Sequence, residues 1–520
     1  MAVTDAGASG AGEAGDGARG GRTGGTGPIG GTDTGGSAGS GQGKGGSTSG
    51  GAGSGGAATG GMDGGAGLGG SGNGGGVPIG GSSGGDSAGA SGEGAGGSGA
   101  PDCQGEVVDS YTATNQAELE ALRGVTTVTG SLTVMGDISD LAALTCLTSV
   151  GTLVIGPTES LASIVSLSNL VSAQTLFVID NAALENLAGL EGLSVVSDEV
   201  AIYDNPKLGN LAGLDNLVQV RFLTIVGNVG LTTLEGLESL ATVVAFSLSA
   251  NPSLEALDLG GMVDVGNFFF HDNEYAESIP GVENVRISRA VFVERNASLA
   301  RLDGLNLAPE LQVVSVMQNP SLTSLEGLAG VTAIGVDLKL SGLPGLSTLS
   351  GLENLSSVGA DNESGQLFIH DSPRLTTLEG LGGLTYARRL DLRDNSELTS
   401  LSGLPASLEL EALMLQGNPK LEDLAGIRFP AALEELRINY CDSLRSLAGL
   451  ENIVSVGALE LQDNDALENL RGLVSLTSAG ILNIWDNGAL PECEAFWLRD
   501  RVSADKVVIG YNAGSGTCVP

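Results

Sequence analysis

Basic residues, aromatic rings and histidine are all scarce in this chain, and each shortage bears on what it can do. Of 520 residues only 23 are lysine or arginine, against 61 aspartate or glutamate, giving a formal net charge of −38. A surface this acidic repels phosphate backbones and anionic lipid, which argues against nucleic-acid and membrane-surface partners. Basic proteins, cations and neutral glycans stay compatible with it, and acidity also keeps a leucine-rich solenoid soluble. Histidine occurs twice, at His271 and His370. No nucleophile–base–acid set and no metal constellation can be assembled, so neither enzymatic activity nor a cofactor is expected. No apolar run reaches the roughly 18–20 residues that cross a bilayer. The opening Met1-Ala-Val-Thr-Asp-Ala-Gly7 shows no basic region followed by an apolar core. Either the chain is cytoplasmic, or a signal or lipid-attachment cysteine lies upstream of Met1.

Cysteine is sparse but placed to favour the second alternative. Four of the five bracket the chain's centre, Cys103 and Cys146 at the front and Cys493 and Cys518 at the back. Disulfides Cys103–Cys146 and Cys493–Cys518 would suit an oxidising compartment, although the spacing also permits free thiols. An extracellular or cell-surface location is the expectation; in a cytoplasmic protein all five would be reduced.

Large apolar side chains are almost absent from the start. Residues 1–100 hold 45 of the 85 glycines, mixed with Ser, Ala and Thr, with 3 basic and 7 acidic residues. Such a stretch cannot bury enough surface to offset its ordering entropy and is expected to be a disordered linker reaching roughly 50–60 Å. The remaining residues carry most of the charge, 20 basic and 54 acidic.

What is abundant is leucine, in a unit of about 23 residues that returns more than a dozen times between Thr158 and Leu490. One copy is Leu223-Thr-Ile225-Val-Gly-Asn228-Val-Gly-Leu231-Thr-Thr-Leu234-Glu-Gly236-Leu237. The asparagine recurs at Asn181, Asn205, Asn228, Asn251, Asn273, Asn296 and Asn319, then at Asn395, Asn418, Asn464 and Asn487. A fixed period of this length marks a repeat solenoid, in which each turn buries its apolar side by stacking on its neighbours. We expect about 15 turns forming a mainly β coil, a right-handed β-helix or leucine-rich-repeat-like solenoid with one long parallel sheet. Residues 101–157 form the N-terminal cap and first turns, 158–490 the leucine-rich repeats and 491–520 the C-terminal cap. In that cap Leu490-Pro-Glu-Cys493-Glu-Ala-Phe-Trp497-Leu-Arg499 reads as a short helix and Val507–Asn512 as a last strand.

Within a copy, alternating pairs such as Leu223 and Ile225 predict a short strand whose intervening residues point outward. The asparagine side chain pairs backbone groups left open where the chain leaves the strand. Cys441 occupies this column too, which implies a structural, buried thiol. Glycine recurs eight residues later, from Gly189, Gly213 and Gly236 to Gly449 and Gly472, implying positive φ or close approach of adjacent turns. Leu343 breaks the asparagine column, and Gly359–Gly365 is inserted before Ser372, as a tolerated surface loop or, as insertions in solenoids often are, part of a binding face. Aspartates precede the asparagine at Asp180, Asp204, Asp272, Asp371, Asp394, Asp463 and Asp486; interrupted as they are, they read as turn formers rather than a cation site.

The segments Val128-Thr-Gly130-Ser-Leu132-Thr-Val134 and Val456-Gly457-Ala-Leu459-Glu-Leu461 resemble the G-x-L-x-I strand opening of receptor L domains, the leucine-rich ligand-binding modules of growth-factor receptors. The similarity covers about residues 103–518, in many more turns than one such domain has, and the same residues fit ordinary leucine-rich repeats. The glycine-rich leader with cysteine-capped repeats resembles bacterial surface proteins. The resemblance implies extracellular ligand binding on the sheet face and supplies no ligand.

The outward strand residues are the one continuous surface that packing does not dictate. Aromatics make up 3% of the chain, yet Phe177, Tyr203, Phe269, Phe292, Phe368 and Trp485 fall at these positions, as exposed interaction surfaces often show. Met317 and both histidines join them, and from Asp391 onward the rows turn polar and charged, with Arg393 and Arg437. His271 and His370 are four turns apart, roughly 19 Å, too far to share a metal ion. The reading is a non-catalytic surface or secreted protein that binds an unidentified protein or carbohydrate ligand. The alternatives are a surface spacer without a ligand and an intracellular leucine-rich scaffold.

Overall fold

The computed structural model describes residues 103, 105–254, 257, 259, 261–279, 281–424 and 427–513. The expected linker over residues 1–100, Gly426 of the glycine column and Cys518 lie outside them. Among the described residues a single parallel sheet of 21 strands runs from Glu106–Val108 to Ser503–Gly510. Successive strands pair in chain order: Phe177 faces Ala201, Ala201 faces Thr224, and Thr224 faces Ser247. Each turn of the coil therefore adds one strand, which in three turns is broken into two segments (Glu106–Val108 with Tyr111–Asn115, Asn306–Leu307 with Glu310–Met317, Ser357–Val358 with Gln366–His370). The molecule is the parallel, leucine-rich-repeat-like β-solenoid that the period predicts. The turns number about 17 rather than 15. The excess arises before Thr158 and at Ser503–Gly510, where strands stack without the full leucine frame.

Alternation decides what faces inward. In Phe222–Val226, Leu223 and Ile225 are wholly buried while Phe222, Thr224 and Val226 are half-exposed. The four leucines that follow, Leu231, Leu234, Leu237 and Leu240, are buried as well. Each contributes roughly 1.5–3 kcal/mol of apolar burial. Copy after copy, these side chains merge into one core cluster extending from Ala113 to Val502.

Many strands bend part-way along. Thr242–Ser249 pairs with Asp264–His271 through Thr242 and Val243, skips a residue, and resumes at Ala245. A glycine often sits at the bend. A Cβ on Gly457 would lie 2.4 Å from the Glu434 carbonyl oxygen of the preceding turn. The G-x-L-x-I opening is thus the signature of a strand folded over a corner, with the backbone of the next turn pressed against it.

The asparagines form a ladder inside the coil. The Asn205 backbone N–H donates to Oδ1 of Asn228 at 3.0 Å, and its Nδ2 donates to the carbonyls of Val178 (3.0 Å) and Tyr203 (2.9 Å). The same N–H to Oδ1 step links Asn181 through to Asn319. Beyond the break at Leu343, Ser372 donates to Asn395 and Asn395 to Asn418. Cys441 then donates its N–H to Asn464, and the last rungs are Asn487 and Asn512. The Cys441 thiol is wholly buried, and burial pushes its pKa up to about 12. It fills a rung, and burial disfavours the thiolate that reaction would need.

The residue before each rung is in the left-handed region, from 48° at Asp371 to 57° at Arg295 and Asp486, with Gly227, Gly342 and Gly417 between 65° and 71°. Aspartate and glycine tolerate this conformation best, which accounts for the aspartate run as turn chemistry. The other glycine column has a more general cause. Gly236 has φ 112°, yet Gly472 does not have positive φ; a Cβ on either would meet the preceding turn, 2.1 Å from Leu211 O and 1.8 Å from Leu447 O. Close stacking of turns leaves no room for a side chain at these two positions.

Both ends are closed. Cys103 and Cys146 form a disulfide with Cα atoms 5.4 Å apart. Cys493 is disulfide-bonded and lies in the helix Glu492–Arg501, which precedes the final strand Ser503–Gly510. Glu494, nearly buried, pairs with Arg471 at 2.7 Å, and the guanidinium groups of Arg471 and Arg501 lie over the Trp497 ring at 4.3 and 4.7 Å. No helix among the described residues is long and apolar enough to cross a membrane.

Candidate functional site

The register of the sheet places the sequence-singled residues in two outward rows. Phe177, Phe269, Phe292, Phe368 and Arg437 occupy one, and Tyr203, His271, Met317, His370, Arg393 and Trp485 the other. A third row, two residues earlier in each strand, went unremarked in the sequence. It runs Thr175, Glu199, Phe222, Ala245 and Asn267, and includes Asp337, Arg389 and Glu435 further on. The signal was there in the alternation of Phe222 with Thr224. The strand bend just before this row obscures it.

Side-chain chemistry divides the face into three sectors. In the first, Phe177, Ile179, Tyr203, Phe222 and Val226 are half-buried and surround Ala201, which they and their neighbours cover completely. The Arg221 guanidinium lies 4.9 Å from the Phe222 ring centre and 3.1 Å from Asp198. Glu199 accepts a long hydrogen bond from the Thr224 hydroxyl, 3.4 Å. Burial lifts its carboxyl above the usual value, the Thr224 bond opposes this, and the neighbouring Asp198 charge adds to it.

In the middle sector Phe269 and Phe292 stack almost parallel, ring centres 4.6 Å apart and planes 6° apart. His271 meets Phe269 edge-on at 5.9 Å. Burial lowers the His271 pKa against the opposing charge of Glu294, and its Nε2 is buried with no hydrogen-bond partner. Arg295 grips Asp272 with two bonds, 2.8 and 2.9 Å, and reaches Glu294 at 3.3 Å. Ser315 donates to the same glutamate at 2.7 Å.

The third sector is charged, but most of its charges are paired with one another. Asp391, only 2% exposed, receives Arg393 through Nε (2.8 Å) and Nη2 (2.7 Å) and lies 3.1 Å from His370 Nε2. Burial works to raise the Asp391 pKa, yet the hydrogen bonds from His370 and Arg393 outweigh it and hold the carboxyl below its ordinary value. His370 stacks on Phe368 and is itself 7% exposed, so it is a buried strut more than an exposed contact. Lys339 pairs with Asp337 at 2.9 Å, Arg389 with Glu435 at 3.3 Å, and Arg437 with Glu435 and Glu460. Trp485 closes the face edge-to-ring against Tyr511 at 4.6 Å.

No family model and no curated protein matches the chain. Among solved structures it is similar to the functional domain of InlJ from Listeria monocytogenes, described as including a cysteine ladder, at 18% identity over 71% of each chain and a TM-score of 0.26. A leucine-rich repeat protein from Bacteroides ovatus aligns at 13% identity, over 64% of this chain and 82% of that one, with a TM-score of 0.27. TLR13 in its complex with ssRNA13 aligns at 14% identity over 77% and 81%, with a TM-score of 0.23. At these scores the fold assignment rests on the repeat geometry above.

Proposed function

We propose that this protein is a non-catalytic binding scaffold that works outside the cell, recognising a protein or glycan ligand with the outward face of its sheet. One observation carries the reading. Inward positions are almost uniformly leucine, isoleucine or valine and the ladder positions asparagine, whereas the outward rows differ from turn to turn and hold aromatic rings on a continuous, half-exposed surface. A row built only to pack would have no use for that variety, and stacked rings such as Phe269 and Phe292 offer a rigid apolar platform to a partner. The Cys103–Cys146 disulfide and the bonded Cys493 support an oxidising compartment.

The test is a glycan array and a protein-display screen with the full chain, repeated with the Phe269→Ala, Phe292→Ala double variant. The expected result is a loss of binding of at least tenfold with the circular dichroism spectrum unchanged, since loss of central aromatic anchors costs 2 kcal/mol or more by the usual order of magnitude (about 2–4). Undiminished binding by the double variant removes this face from the account.

A further inference from the structure

Carboxylates on the strand portions of the outward rows are Glu199, Glu294, Asp337, Asp391, Glu435 and Glu460. Five of them have a cation from this chain within ion-pairing distance: Arg295, Lys339, Arg393, and Arg389 or Arg437. Glu199 has none among the described residues, although it is half-buried and raised in pKa. Arg221, which precedes the register partner Phe222 on the next strand, has its guanidinium committed to Asp198 and the Phe222 ring. At the other rim of the same sector Asp180 and Asp204 are exposed and likewise lack an ion-pair partner among the described residues. The sector therefore combines aromatic walls from Phe177, Tyr203 and Phe222 with acids at both ends, about five residues of extended strand or roughly 16 Å apart.

Resting on the proposed function, we infer that the Phe177–Val226 sector receives a basic protein segment, an extended stretch in which lysine or arginine alternates with apolar residues. Its apolar side chains lie on Phe177, Ile179 and Val226, and its cations reach Glu199 at one rim and Asp180 or Asp204 at the other. Aromatic rings beside a carboxylate are the standard surroundings for an ammonium or guanidinium group on an apolar stem. The chain already shows this mode on a small scale, where Arg221 sits against Phe222 and Asp198. A neutral glycan would leave Glu199 half-buried and unpaired, which disfavours it for this sector.

The test uses the full chain and three labelled probes: a hexapeptide of alternating valine and lysine, the same peptide with glutamate for lysine, and a neutral glucose hexasaccharide. Fluorescence anisotropy should show saturable binding of the lysine peptide alone. The Glu199→Gln variant should weaken it about tenfold, the worth of one charge-assisted contact. Glu274→Gln, which removes the same charge from an exposed site off the outward rows, should change it less than twofold. Binding of the lysine peptide should also weaken as pH falls through the raised pKa of Glu199. Equal losses in the two variants would mean general attraction to an acidic protein and would overturn the assignment, as would saturable binding of the saccharide or no binding of the lysine peptide. The last two outcomes leave the wider face intact, because that is read separately through Phe269 and Phe292.

Discussion

An asparagine of the ladder serves two turns at once, and this sets what its loss costs. Asn296 accepts from the Asn273 N–H and donates to the carbonyls of Phe270 and Glu294, all inside the coil. Asn296→Ala leaves these groups unpaired, so chemical denaturation should show roughly 2–5 kcal/mol lost. Asn216→Ala, which removes one exposed bond to the Glu191 carbonyl, should cost below about 1 kcal/mol. The ladder was legible from the asparagine spacing alone. The environment of Asp391 was not, because its partners His370 and Arg393 come from other positions on the face and pairing depends on rotamers. Its depressed pKa means the interaction stabilises the fold above the unfolded carboxyl value, near 3.8, and is lost as pH falls through the lower folded value. Wild type should therefore exceed Asp391→Asn in Tm at pH 7, and the gap should narrow progressively as pH falls below about 3.8. A gap that stays constant from pH 7 into that acid range would mean the pairing contributes nothing through its charge.

A turn of the coil is decided by backbone contact as much as by leucine burial. Gly236→Ala combines a φ of 112° with a Cβ 2.1 Å from Leu211 O, and should lower stability by roughly 2–4 kcal/mol. Gly209→Ala adds a Cβ with nothing within 4 Å and should be close to neutral; thermal melts of the two compare them directly. The strands, the glycine column and the aspartate turns could all be read from period and residue type, since each reflects a constraint repeated in every turn. The strand bend and the third outward row could not. The bend shifts the inward phase, as from Val243 to Phe246, so the outward alternation that Phe222 and Thr224 carry was obscured there and at Glu199. The cap helix was visible over residues 490–499, against Glu492–Arg501 in the structure, whereas the Arg471–Glu494 pair beneath it needed the fold to bring two turns together.

Over the whole solenoid, one uninterrupted core frees three outward rows from the demands of packing, and those rows change character along the sheet. The first sector has acids, Glu199, Asp180 and Asp204, without a paired cation among the described residues, the middle has stacked rings, and the third has spent most of its charges on itself. Composition gave the acidity of the molecule but not this distribution, which depends on which carboxylates lie one strand away from an arginine. Recognition by the outward rows is best tested by carbene footprinting of the full chain, free and saturated with a ligand from the display screen. Protection is predicted at the strands bearing Phe177, Phe269, Phe292 and Phe368, with the segments around Glu274, Glu326 and Arg445 labelled equally in both states. Protection confined to those latter segments, with the strands unchanged, would contradict it.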